Sequence, residues 1–312
     1  MTGPRAPQAP EPDRDEVDRG EPAPDESAPQ VRETDDTGAE GEGVDPQEAE
    51  VEDEVAESFR SSVEEGAERL HRSWRALITT GLFGGLEIGV GILAFLAVLD
   101  ETGSHLLAGL AFGIGLVALL LAHSELFTEG FLLPVMAVFA GRGTVGQLLT
   151  LWGVGLVTNL IGGWVFMWIV VQAFPDFGPL LTETARHFVD TPLGAEAVAL
   201  SLLGGIVITL LTRMHQGTDS DMVRVLASLM AGFLLAGLSL FHSVLDSIII
   251  FGAIHAEGQV GYGQWLQWFW YVVPLNMVGG MVFVTAMRLL RASEMPEAPG
   301  PDNRVVEGRG PR

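Results

Sequence analysis

Two stretches decide how this chain is read: His123-Ser124-Glu125-Leu126-Phe127-Thr128-Glu129 and, 117 residues later, Leu240-Phe241-His242-Ser243-Val244-Leu245-Asp246. Each interrupts a long apolar run with polar and ionisable side chains. An Asn-x-x-Gly-Gly lies 34 residues beyond Glu125 and again 34 beyond His242, as Asn159-Leu160-Ile161-Gly162-Gly163 and Asn276-Met277-Val278-Gly279-Gly280. One offset therefore overlays both the breaks and the Asn-Gly-Gly signatures. The pattern reads as a duplicated membrane half whose two broken helices meet near the bilayer midplane, which is how transport proteins place polar groups inside a membrane.

From Leu77 onward the apolar runs reach bilayer-spanning length, about 20 residues for a ~30 Å hydrocarbon core. The sequence predicts an all-α membrane protein of six spans in two inverted repeats. They are Leu77 to Leu99, a split Leu106 to Ala140, Gln147 to Phe174, Ala195 to Thr212, a split Met222 to Ile254, and Trp265 to Met287. The second and fifth are too long for one straight crossing and carry polar residues mid-run. Each is read as two half-helices joined by irregular backbone, which is tolerated only inside protein or beside a water-filled cavity.

Charge divides the chain further. Residues 1–57 hold twenty Asp or Glu against four Arg, and so contribute −16 of the formal −23. Rich in Pro, Gly, Ala and Glu, they are expected to form a disordered acidic tail, with a second such tail over 292–312. The acidic sign excludes nucleic acid as a partner. The absence of Cys excludes disulfides, thiolate metal sites and Cys nucleophiles, and no cofactor is expected. There is no Lys; all 17 basic residues are Arg. Arg60, Arg69, Arg72, Arg75, Arg142, Arg213, Arg224, Arg288 and Arg291 fall on one side of the predicted spans and only Arg186 on the other. The positive-inside bias then puts both termini in the cytoplasm of a multi-pass inner or plasma membrane protein. Over 58–75, Phe59, Val63, Ala67, Leu70 and Trp74 recur at helical spacing between acidic residues and Arg72. This predicts an amphipathic helix lying in the membrane interface or against a neighbouring subunit, with the lining of a small vestibule as a further option. The channel domain is expected to span 76–291.

The intramembrane ionisable residues are Glu87, His123, Glu125, Glu129, His242 and Asp246. His242 follows an apolar run at the second break and needs polar company for both ring nitrogens. Asp246, four residues on, shares its helical face and would either raise the basicity of His242 or cap the half-helix. At the first break Glu125 is expected to accept hydrogen bonds from exposed backbone N–H groups, with Thr128 offering a hydroxyl to the path. Asn159 and Asn276 are expected to bond the broken backbone of neighbouring spans, beside glycines that permit close helix approach, and Glu87 to serve as an interhelical hydrogen-bonding group.

From about Trp74 to Arg291 the chain resembles the formate/nitrite transporter family. The motifs that carry the resemblance are Leu126-Phe127-Thr128, Gly141-Arg142-x-Thr144-x-Gly146-Gln147, Asn159-Leu160-x-Gly162, His242-Ser243 and Asn276-x-x-Gly279-Gly280, in order and correctly spaced. The resemblance implies an aquaporin-like protomer and a homopentamer with one pore per subunit. It also implies a central histidine that faces the threonine of the first break between apolar constrictions and protonates the incoming anion. His242 and Thr128 match that pair, and Phe112 and Leu116 match constriction positions. The departures are Asp246 where relatives have Asn, Gly205 for an Asn, Leu235 for a constriction Phe, Phe241 for a Glu and Arg224 for a Lys.

The function expected is a pore or proton-linked transporter for a small monovalent anion such as formate or nitrite and its conjugate acid. The physical logic is that a dry apolar slit passes the neutral acid far more cheaply than the anion. The alternative is a pore for a neutral or cationic solute, or a proton path, using Asp246. An intramembrane hydrolase built on Ser243 or Ser124 is disfavoured, because neighbours on a helix point about 100° apart and no third orienting group is apparent.

Overall fold

Local signals place most helix ends. In the computed structural model, which describes residues 46–293 and side chains from 55 to 291, α1 runs Pro46–Leu70 and α2 Trp74–Thr102. The Ser73 side chain caps α2 by accepting the Ala76 N–H, and Gly103 ends it at φ 64°, a left-handed conformation that costs glycine nothing. Ser104 then caps α3, His105–Ala122. After the first break come a 3₁₀ turn, Phe127–Phe131, and α4, Leu133–Phe139. Gly141 turns the chain at φ 70°, and Thr144 with Gln147 forms a capping box at the start of α5, Val145–Ala173. The Gly-Arg-x-Thr-x-Gly-Gln motif thus has a local meaning: it stops one helix and starts the next.

Beyond α5 lie α6 (Gly178–Val189), α7 (Ala195–Gln216), α8 (Asp221–Leu235) and α9 (Ser243–His255). The chain then follows α10 (Tyr262–Gly280), a π-helical turn over Met281–Ala286, and α11 (Met287–Ser293). Among the described residues five segments are long and apolar enough to cross a membrane: α2, α3, α5, α7 and the continuous Tyr262–Arg291. The shorter apolar Phe127–Phe139 and Ser243–His255 complete the two broken crossings. The result is an all-helical protomer of six crossings in two inverted halves.

Within each half a pair of helices meets backbone to backbone. A Cβ on Gly85 of α2 would stand 2.0 Å from Asn159 O of α5, and one on Gly205 of α7 the same distance from Asn276 O of α10. Such contact lets dispersion act over the whole crossing, the main source of cohesion between helices that no longer exchange water for lipid.

Three features differ from expectation. The amphipathic segment is two elements: α1 starts at Pro46, within the stretch expected to be a tail, and Trp74 opens α2 with 63% exposure instead of closing the apolar stripe. Proline at the first helical position and a run of acids over the first turns favour that early start. α1 packs on α4 of its own chain. Val63 joins Leu132, Leu133 and Met136, and Gly66 sits so close to Leu133 O that a Cβ would meet it at 2.1 Å. Second, α6 caps the face opposite α1, burying Leu181, Ala185 and Phe188 at spacings of four and three. Third, the last crossing contains the π turn where a regular helix was expected. The tail expectations for residues 1–45 and 294–312 lie outside the described residues.

Candidate functional site

The two asparagines organise the breaks. Asn276 Nδ2 donates to Ser201 O at 2.7 Å and Phe241 O at 2.9 Å, and its Oδ1 accepts the Ser243 N–H at 2.8 Å. Asn159 does the same in the first half, donating to Gly81 O and Glu125 O and accepting the Phe127 N–H, all at 2.8 Å. Both are fully buried. Each joins the two sides of a gap in the chain's own hydrogen bonding, and so holds irregular backbone at membrane depth.

The structure brings Thr128 and His242 together, with 2.9 Å between Oγ1 and Nε2 and both side chains buried. The tautomer follows from the other ring nitrogen. Nδ1 accepts the Leu245 N–H at 3.1 Å and so carries a lone pair, which leaves the proton on Nε2 to be donated to Thr128. The Thr128 O–H then has no acceptor among the described side chains and is available to a passing solute. His242 is also the N-cap of α9, whose positive dipole end points at this contact.

Asp246 is in reach of His242 but not of its ring: Oδ2 accepts the backbone N–H of His242 at 2.8 Å. The carboxylate closes the first turn of α9, the capping alternative of the two held open above. Glu125 departs from expectation. It accepts no backbone N–H; it pairs with Arg69 of α1 at 3.3 Å and with Arg72, in the turn after α1, at 2.5 Å. Its side chain is only 3% exposed, so two cations offset the cost of burying it. Glu87 Oε1 accepts the Ser124 Oγ–H at 2.9 Å, tying α2 to the start of the break, while Oε2 has no partner. Ser243 Oγ also lacks one, so neither serine is bonded to an imidazole.

A cavity of about 380 Å³ opens on the Arg-rich side, lined from α1 and the turn after it by Glu65, Glu68, Arg69 and Arg72 and from the first break by Ser124 and Glu129. α1 therefore forms part of the vestibule wall. Leu119 and Leu120 of α3 also line it, and Leu116 and Phe112 continue upward along the same helix, both buried. Leu235, the last residue of α8, is buried beside the second break. On the far side a cavity of about 430 Å³ is bounded by His105, Glu183, His187 and Ser239. Burial holds the His187 imidazole below its ordinary range, with Glu196 opposing.

Gly205 does not sit where a pathway side chain could stand. Its missing Cβ is directed at the backbone of Asn276, so the position serves helix packing, and no Asn fits there without moving α10. Several residues that sequence reasoning missed complete the first break. Trp152 Nε1 donates to Gly130 O at 2.9 Å, and Thr285 Oγ1, from the π turn, donates to Phe131 O at 2.7 Å. A tryptophan in an apolar span carries no advance sign of this, but its lone N–H donor must find an acceptor when buried.

Comparison with known proteins agrees with this geometry. The family model for the formate/nitrite transporter matches residues 56–290. An uncharacterized transporter of Bacillus subtilis, YrhG, is 26% identical over 247 residues, covering 74% of this chain and 90% of the relative. Among solved structures, an ion channel of the FNT family aligns with a TM-score of 0.64 at 19% identity, over 75% of this chain and 98% of that one. A pentameric formate channel with formate bound aligns with a TM-score of 0.59 at 20% identity, over 72% and 100%. With its paired Asn-braced breaks meeting at a threonine and a histidine, the chain belongs to the formate/nitrite transporter family.

Proposed function

We propose that this protein conducts a small monovalent anion of the formate or nitrite type, together with its conjugate acid, through a pore in each subunit of a homopentamer. Both termini face the cytoplasm, as the one-sided arginine distribution argues. The buried Thr128–His242 contact carries this reading. It supplies a hydroxyl proton, backed by an imidazole N–H, where the two breaks meet, with the positive end of α9 behind them. An anion arriving there meets hydrogen-bond donors and shares the Nε2 proton of His242. It crosses the adjoining apolar stretch, to which Phe112, Leu116 and Leu235 belong, as the neutral acid.

Flux into proteoliposomes tests the proposal. Formate, nitrite or a carboxylate of similar size should cross faster than in empty vesicles, and no enhancement for any of them refutes the anion reading. His242→Asn should leave assembly intact, since Asn is itself a good N-cap for α9. It should abolish the pH-dependent flux.

The buried carboxylate of Asp246 beside His242 supports a second reading, a pathway for a neutral or cationic solute or for protons. Asp246→Asn separates the two: anion flux gained in that variant favours the second.

A further inference from the structure

The pseudo-symmetry of the two breaks exposes a carboxyl with no structural task. Glu129 corresponds to Asp246 at the offset of 117, and Glu125 to His242. In the second half Asp246 accepts the His242 N–H. Its counterpart in the first half would be a bond from the Glu125 N–H to Glu129, but that N–H donates to Thr80 O at 3.2 Å instead. Glu129 is thereby released from capping. It is 6% exposed, and its carboxyl makes no hydrogen bond or close ion pair among the described residues, the guanidinium of Arg69 acting on it only through space. It lines the Arg-rich vestibule and directly follows Thr128 on the same 3₁₀ turn. Successive side chains there diverge by about 120°, so Thr128 meets His242 while Glu129 meets the vestibule.

The charged groups around it are engaged elsewhere. From α1, Arg69 is bound to Glu125 and Glu65, and from the turn after it Arg72 is bound to Glu125. From α8, Arg224 lies near Asp219 and Asp221, and from α7, His215 shares a hydrogen bond with Ser228. His123, at the end of α3, and Glu68 are exposed at the rim, and Glu87 of α2 is bonded to Ser124. Arg69 acts on Glu129 through space but is already bound by Glu125 and Glu65, so it offsets a charge on Glu129 only in part, and a poorly balanced buried carboxylate is costly.

His242, for its part, reloads poorly. A second proton on its ring needs Nδ1, which holds the first turn of α9 through Leu245.

We propose that Glu129 is the proton-exchanging residue of the vestibule, a carboxylic acid that hands its proton to the anion before it reaches the Thr128–His242 contact. The inference rests on the weak-acid reading above. The O–H bond of Glu129 breaks as one forms on the anion, giving the neutral acid and a Glu129 carboxylate. A hydronium ion from vestibule water then restores the acid and leaves water. His242 needs only to offer a hydrogen bond, and its cap on α9 stays closed.

Two readouts on the reconstituted full-length protein test this. In the infrared difference spectrum of wild type minus Glu129→Gln at neutral pH, a carbonyl stretch of a protonated carboxylic acid should appear. Glu129→Asp should shift it. In formate flux, Glu129→Gln should lose roughly tenfold at neutral pH on the Arg-rich side. Its remaining flux should then follow the bulk concentration of formic acid, about tenfold per pH unit, where wild type levels off. No carboxylic band at neutral pH, no shift in Glu129→Asp, or an unchanged pH profile in Glu129→Gln overturns the proposal. If wild type passes no weak acid, the transport reading falls, and the band alone decides whether Glu129 holds a proton.

Discussion

Asn276→Ala removes three hydrogen bonds at once and leaves Ser201 O, Phe241 O and the Ser243 N–H without their partner. Side-chain hydrogen bonds inside membranes average only about 0.6 kcal/mol, because the membrane-inserted unfolded state finds substitute partners. The groups here differ. Phe241 O and the Ser243 N–H belong to a broken segment with no helix to supply an alternative, so the penalty for a buried unsatisfied group, about 1–3 kcal/mol, applies to them. Two such groups at the lower bound, with about 0.6 kcal/mol for Ser201 O, give a loss of roughly 3 kcal/mol. Asn276→Asp keeps an acceptor for Ser243 but forfeits both donors and should lie between. The assay is denaturant or thermal stability in detergent. Thr79→Val serves as control, since that hydroxyl is exposed and bonds only its own helix. If Asn276→Ala is no less stable than the control, the asparagine does not hold the break.

Gly205→Ala should be severely impaired in assembly, since its Cβ would fall 2.0 Å from Asn276 O, and overpacking of this kind costs about 1–3 kcal/mol or more; yield by size-exclusion chromatography reads it, and normal assembly would remove the packing role. Replacing Arg69 and Arg72 together by Gln leaves Glu125 buried and unpaired, which costs about 3–5 kcal/mol for a fully buried pair and nearer 2 here because Arg72 is partly exposed. Hydrogen exchange over 123–131 should then accelerate at least tenfold while 240–247 stays unchanged, and equal responses would refute the link to α1. Burial pushes the Glu65 carboxyl up, but the charge and hydrogen bond of Arg69, with Gln216, outweigh it and hold it below its ordinary range. Its contribution to docking α1 is therefore complete above pH about 4.5 and lost as pH falls further; trypsin cleaves only at neutral pH, so protection of the α1 backbone amides is the measure, and constant protection on acidification would contradict it.

The repeat was legible because each break is a local event: polar residues inside an apolar run leave a mark that survives any packing. The Asn-Gly-Gly signatures were legible for the same reason, and their spacing pointed to one job done twice. What escaped was long-range. Nothing about Glu125 in sequence says that its partners are Arg69 and Arg72, more than fifty residues earlier and outside the spans. α6 escaped because a twelve-residue helix that buries only three side chains does not stand out beside membrane spans. The packing role of Gly205 escaped for a physical reason: alignment places a residue along a helix, whereas the direction of its Cβ depends on which helix lies nearest.

The two breaks are closed by different means, and the difference bears on transport. The second is largely self-sufficient: the ring of His242 and the carboxylate of Asp246 satisfy backbone groups within five residues, and Asn276 supplies the rest. The first borrows from distant places. Thr80 O takes the Glu125 N–H, Trp152 and Thr285 serve two carbonyls, and α1 neutralises the carboxylate. A site that closes itself keeps its geometry whatever happens around it, which suits His242, whose tautomer depends on that closure. A break held by outside elements has side chains to spare. Thr128 has a free hydroxyl proton and Glu129 a free carboxyl because neighbours perform the tasks that His242 and Asp246 perform for themselves. On the weak-acid route proposed above, fixed donor geometry resides in the second half and exchangeable protons in the first, so that an anion entering from the Arg-rich side meets them in the order that protonation before passage requires.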